Sequence, residues 1–232
     1  MTHSIFGSIT AIREKIDYIA RGQERQIADV TLLVVTKTVP ADRVVDALSC
    51  GIRDIAESRI QEAGPKFAQL GERLQGVRKH LIGHLQTNKA GRAVELFDLI
   101  QSLDSSRLAI EIDRQAAKRG KVQDCLLEIK VSPEESKCGA APEDAVTLLQ
   151  ECRALKNIRL CGMMAMAPYF EDREQSRPYF RRARVVYEEI KAAGGPEFNC
   201  LSMGMSHDFE IALQEGATMV RIGSMIFTPA KG

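Results

Sequence analysis

The sequence predicts a single β/α barrel of the (β/α)8 class, with one extra helix ahead of the first strand. Three observations predict it. The 232 residues approach the ~250 typical of such barrels and are enough to bury a large core. Short β-rich apolar runs alternate with longer amphipathic segments, the order expected of βα units wound around a parallel sheet. The runs number about eight, the strand number of this barrel class.

In chain order, residues 4–22 form the additional N-terminal helix. The predicted strands cover 31–36, 54–56, 80–82, 99–102, 124–131, 159–163, 200–202 and 219–222. Between them lie helix-forming stretches at 41–50, 58–74, 87–96, 105–119, 142–155, 174–193 and 206–215, with apolar residues spaced near ~3.6. Pro40, Asp42, Ser206 and Asp208 mark helix starts, and Gly51, Gly120, Gly194 and Gly216 follow helical runs. No linker, low-complexity tract or short-period repeat divides residues 1–232, so one domain is expected.

Composition narrows the function classes. Hydrophobic residues make up 44% and charged residues 27%, the mixture of an ordinary globular chain. With 32 Lys and Arg against 31 Asp and Glu, no broad field exists to gather nucleic acid or anionic lipid, so any anion site must be local. The first residues lack the basic start and continuous apolar run of a secretory signal, and no stretch has membrane-spanning length. The cysteines, Cys50, Cys125, Cys138, Cys152, Cys161 and Cys200, form no CxxC pair. Small buried thiols in a reducing cytoplasm are therefore expected, without disulfide or metal.

Chemistry should sit at the C-terminal mouth of the barrel, where the loops after the strands converge. The run LLVVTKTVP, residues 32–40, ends a strand at Lys37. A buried amine there would be nucleophilic and suited to a Schiff base; a lysine snorkelling into water is the other reading. The stretch LSMGMSHDFEIALQEGATMVRIG, residues 201–223, brings two small-residue turns to the last two strands. Ser202, Gly204 and Ser206 enter a helix, and Gly223 with Ser224 follows the final strand. Turns at that place in a barrel present backbone N–H groups to phosphate. Arg221 should project into the same mouth, unless it caps carbonyls or pairs with an acidic neighbour such as Glu57. His84 and Asn88, in HLIGHLQTNK, are mouth-lining candidates, with a structural histidine as the alternative. Lys137, in the loop 132–139, is a second amine that a folded-in loop would bring close, or a solvated lysine.

Taken together these segments resemble the pyridoxal phosphate homeostasis protein family, with the alanine racemase N-terminal barrel as a more distant relative. The resemblance spans almost the whole chain: VVTKTVP, HLIGHLQTNK, ESKCG at 135–139, GMMAMAP at 162–168, and LSMGMSHDFEIAL through MVRIGSMIF. Several motifs in order are far more specific than any one alone. The resemblance implies a fold-type III barrel holding pyridoxal 5′-phosphate (PLP) as an internal aldimine on Lys37. Arg221 would lie near the pyridine nitrogen, and Ser202, Gly223 and Ser224 among the phosphate contacts. It also implies that Met164 and Ser58 approach the ring. Where the family reads close to FGENYVQE this chain has IAESRIQE, placing Ser58 at a usual asparagine and Arg59 at a usual tyrosine.

The resemblance favours a cytoplasmic PLP-binding protein of vitamin B6 homeostasis that supplies apo-enzymes. The rival is a PLP-dependent amino-acid racemase, which needs a second base across the ring from the lysine. Alanine racemases take a tyrosine from an added C-terminal domain of the partner subunit. Here the tyrosines are Tyr18, Tyr169, Tyr179 and Tyr187, none in a matching motif. A barrel that binds the phosphate of another metabolite is a third reading. Without cross-subunit machinery a monomer is expected.

Overall fold

The computed structural model describes residues 4–134 and 138–228. Lys137 therefore lies outside the described residues. The eight strands are β1 (Thr31–Val35), β2 (Asp54–Glu57), β3 (Arg78–Leu81), β4 (Leu99–Leu103), β5 (Gln123–Glu128), β6 (Ile158–Met164), β7 (Cys200–Met205) and β8 (Met219–Ile222). Each pairs parallel with the next, and β8 closes on β1. The result is the (β/α)8 barrel that the alternating pattern predicts.

The helices that wrap it are α2 (Ala41–Ser49), α3 (Ile60–Leu70), α4 (Ala90–Leu96), α5 (Ser106–Ala117), α6 (Ala145–Arg153), α7 (Arg177–Gly194) and α8 (Phe209–Gln214). α1 (Ile5–Arg21) precedes the barrel and α9 (Ser224–Phe227) follows β8. Ser4 starts α1 by accepting the Gly7 N–H, and Ile5, Ile9, Ile12, Ile16 and Ala20 form its buried stripe. That stripe docks on the outer helical layer, with Lys15 Nζ 2.8 Å from Glu210 Oε1 on α8. No helix among the described residues is long and apolar enough to cross a membrane.

The strands alternate between two environments. Val34, Ile55, Ile100, Val220 and Ile222 face outward into the large core beneath the helices. Leu33, Val35, Ala56 and Met219 form a cluster inside the barrel, and Leu99, Leu126 and Met164 form another.

Most predicted boundaries shift by one to a few residues, and in three elements the shift has a local reason. The strand expected at 124–131 leaves the sheet after Glu128. Lys130 N–H turns to donate to Ala140 O, and Ile129 bridges to Ala140 instead. The helix expected at 206–215 begins only at Phe209, because β7 continues to Met205 and the Met205 N–H donates to Asp208 Oδ1 at 2.6 Å. The helix expected from Ser58 begins at Ile60, with Arg59 extended, and gives way at Gly71 to a 3-10 turn.

Candidate functional site

A cavity of about 510 Å³ opens at the C-terminal ends of the strands, within the roughly 300–1,000 Å³ of small-ligand pockets. Lys37, Ser58, Met166, Arg221, Gly223 and Ser224 line it. Five of these are residues that the sequence nominates, drawn from β1, β2 and β8, which lie side by side in the closed sheet.

Lys37 sits two residues beyond the end of β1. The expectation of a buried amine is corrected here: Lys37 is exposed and lines the open cavity. The chain turns sharply after it. Thr38 has φ 61°, a left-handed conformation that a β-branched residue adopts at a cost of about 1–3 kcal/mol. Its hydroxyl donates to Lys37 O at 2.6 Å. Before the lysine, Thr36 is anchored from outside the barrel. Its hydroxyl donates to Glu57 Oε1 at 2.7 Å, and Lys66 Nζ donates to both Glu57 Oε1 and Thr36 O at 2.6 Å.

Arg221 is buried and points inward from β8. Its Nη1 donates to Ser202 Oγ at 2.8 Å and its Nη2 to Ala165 O at 3.0 Å. Glu57, the acidic partner considered for it, is instead paired with Lys66 on the outer face. Burial lowers the Arg221 pKa to about 10, with Asp208 and Glu128 opposing the shift, so the guanidinium stays charged at neutral pH.

The turns from β7 and β8 meet beside it. Gly223 N–H donates to Ser206 Oγ at 3.3 Å, and α9 starts at Ser224. The first N–H groups of a helix have no intrahelical acceptor. This short helix leaves no periodic signal in the sequence. Ser58 also lines the cavity, and the next turn packs against its backbone: a Cβ on Gly83 would lie 2.1 Å from Ser58 O. Arg59 is exposed and paired with Glu62 at 2.9 Å.

Other nominated residues lie elsewhere. Ser202 and Met164 are fully buried and share a register level below the cavity, Ser202 behind Arg221 and Met164 in the inner apolar cluster. Gly204 faces outward: at φ 89°, an added Cβ would meet Ala212 Cβ at 2.5 Å, so its role is to let α8 approach. His84 is half exposed, with Nδ1 3.6 Å from Asp104 Oδ2, and Asn88 is exposed; neither lines the cavity. The sequence reading missed Met166, Met205 and His207 as lining residues. Met166, two positions after Met164, was accessible from strand alternation continued one step.

Glu128 closes β5 with only 3% of its surface exposed. Burial raises its pKa to about 7, the Asp104 charge adds to the shift, and Arg221 opposes it. A carboxyl held above its unfolded pKa contributes stability that is complete below the ordinary carboxylate range and is lost as pH rises through about 7. Glu128→Gln should therefore gain on the wild type in denaturant midpoint between pH 5 and pH 8. A pH-independent difference between the two would rule out this titration.

None of the six cysteines is in a disulfide. No group of three His, Cys, Asp or Glu side chains suited to a metal occurs among the described residues.

A closed parallel barrel with a lysine after β1, an inward arginine on β8 and a Gly-Ser turn beside it defines an alanine-racemase-type barrel. The family model for the N-terminal domain of alanine racemase matches residues 8–230. The pyridoxal phosphate homeostasis protein of Aquifex aeolicus is 41% identical over 200 residues, covering 86% of this chain and 87% of that protein. The chain belongs to the pyridoxal phosphate homeostasis protein family. Among solved structures, PipY from Synechococcus elongatus PCC7942 with PLP bound superposes with a TM-score of 0.83 at 33% identity, covering 97% of this chain and all of PipY (100%). An alanine racemase from Clostridium difficile 630 shares the fold alone, with a TM-score of 0.67 at 17% identity, covering 88% of this chain and 52% of that one.

Proposed function

We propose that this chain binds PLP at the barrel mouth through a Schiff base on Lys37, and serves vitamin B6 homeostasis in the cytoplasm by holding the cofactor and yielding it to apo-enzymes. One observation carries the reading: an exposed amine, a buried guanidinium and a Gly-Ser turn line the same cavity. The bound group would supply an aldehyde carbon for imine formation and a phosphate for recognition. Lys37 would provide the nucleophilic nitrogen. Ser224 would present its backbone N–H to the phosphate, and Gly223, whose own N–H donates to Ser206 Oγ, would line the phosphate pocket and brace that turn. Arg221 would face the ring nitrogen. Because a guanidinium only donates, it favours an unprotonated nitrogen there and weakens the ring as an electron sink, which suits storage better than turnover. Ser58 and Met166 would border the ring, while Ser202, Met164 and Gly204 would act from behind the cavity lining. We propose a monomer as the working unit.

The test is transfer. Protein loaded with PLP and freed of excess cofactor is mixed with an apo-aminotransferase. The recipient should gain activity as the loaded protein loses its visible absorbance, while L-alanine in deuterated buffer keeps its α-hydrogen. Racemisation or α-deuteration above that given by free PLP would establish the racemase instead.

A further inference from the structure

Polar side chains run through the barrel interior from one end to the other. At the mouth Arg221 Nη1 donates to Ser202 Oγ (2.8 Å), and the Ser202 hydroxyl donates to Gln101 Oε1 (2.7 Å). Gln101 Nε2 lies 3.0 Å from His80 Nδ1, with Met219 Sδ as a further acceptor at 3.3 Å. His80 Nε2 lies 3.0 Å from Asp54 Oδ1. Ser202, Gln101 and His80 are fully buried. Asp54 opens β2, so its carboxylate lies at the opposite, N-terminal end of the barrel, where it is partly exposed.

The direction of every bond in this chain is determined. A guanidinium has no acceptor, so Ser202 must accept from Arg221 and spend its own proton on Gln101 Oε1. That fixes the amide, leaving its nitrogen to donate to His80 Nδ1. A ring nitrogen that accepts is unprotonated, so the proton of His80 sits on Nε2 and is given to Asp54. Flipping the amide would face its oxygen to Nδ1, and would demand a charged imidazole in a site whose burial favours the neutral ring. Three aligned dipoles, joined by four hydrogen bonds, thus turn their acceptor ends to the Arg221 cation and their donor ends to the Asp54 anion. The direct partners of Arg221 are a hydroxyl and a carbonyl, so the relay links it to a carboxylate it does not touch. Such chains polarise one another.

We infer that Gln101 and His80 are positioning residues for the PLP site: they lock the Ser202 hydroxyl, and through it the Arg221 guanidinium, with Asp54 at the far end of the barrel as counter-charge. This rests on the PLP reading above. Two measurements keep the two apart. Long-range ¹H–¹⁵N correlation on the ligand-free protein reports the His80 tautomer without any cofactor; a neutral ring protonated on Nε2 is expected. Next, PLP release and the absorbance maximum of the loaded protein are compared in His80→Leu and His80→Asn. The leucine removes the acceptor for Gln101 and acts on Arg221 through three hydrogen bonds. It should speed PLP loss by at most about tenfold, the lower end of what losing an outer-shell partner costs a metal ligand, with a shifted maximum. Asparagine, whose amide oxygen reaches the place of Nδ1, should restore both. If His80→Leu does not fold, Gln101→Met makes the same test.

A charged or Nδ1-protonated His80 would overturn the relay whatever the ligand. Unchanged release and absorbance in the leucine or methionine variant would overturn the positioning role. A wild-type protein with the expected tautomer that takes up no PLP would overturn the reading of the site, and the role with it.

Discussion

Replacing Lys37 with alanine should leave the barrel folded and abolish the visible absorbance that the wild-type chain acquires with PLP. The side chain is exposed at the cavity, and substitutions at exposed positions away from caps and strained backbone usually stay within ±0.5 kcal/mol. The conformational demand falls on Thr38, which the substitution leaves in place. What disappears is the nitrogen that closes the imine. PLP would then be held only by non-covalent contacts to Arg221 and the turn at Gly223 and Ser224, and should wash out on gel filtration. The readouts are absorbance after desalting and an unchanged thermal midpoint. Retained absorbance would transfer the role to another amine, with Lys137 the first to examine.

Lys66→Met should have the largest effect on stability. Glu57 is fully buried between β2 and α3, Lys66 Nζ lies 2.6 Å from its Oε1, and the Oε2 atom has no hydrogen-bond partner among the described residues. Taking away the ammonium leaves a buried carboxylate with the Thr36 hydroxyl alone as donor. Removing one partner of a buried pair costs about 3–5 kcal/mol, whereas replacing both by apolar groups of similar volume is often neutral. Denaturant unfolding of Lys66→Met should show that loss, and Glu57→Leu combined with Lys66→Met should recover most of it. A loss below ~1 kcal/mol in the single variant would mean that water reaches the pair. Because Lys66 also holds the Thr36 carbonyl, one residue before Lys37, the single variant should loosen the strand end that presents the amine.

The barrel was legible because a parallel strand is covered on both faces and so reads as an uninterrupted apolar run. LLVV in β1 and MV in β8 mark their strands in this way, and β8 runs from Met219 to Ile222 as expected. Helix starts and strand ends were less legible where a single tertiary hydrogen bond decides them, as Asp208 does for α8 and Ala140 does for the end of β5.

In the site, Lys37, Arg221, Gly223 and Ser224 could be named from the sequence because they end or follow strands, and strand ends converge by construction; Ser58 came only from the family resemblance. Depth along the barrel axis was not legible. Met164 and Ser202 stand at one register level, one layer too low to reach the cavity, and a list of residues holds no such coordinate. The inner polar relay was hidden for a related reason. Gln101 lies in LIQSL and His80 in RKHL, and only the register of neighbouring strands, with Ala56 opposite His80 and Leu33 opposite Arg221, shows which side chains share the interior. The i, i+2 steps from Leu99 to Gln101, Cys200 to Ser202 and Met219 to Arg221 were the available hint.

The most direct measurement is borohydride reduction of the wild-type protein in the presence of PLP, followed by proteolysis and mass mapping. A phosphopyridoxyl group on the peptide that contains Lys37, and on that site alone at stoichiometric cofactor, is the predicted result. A label spread over surface lysines, or absent from position 37, would contradict the account.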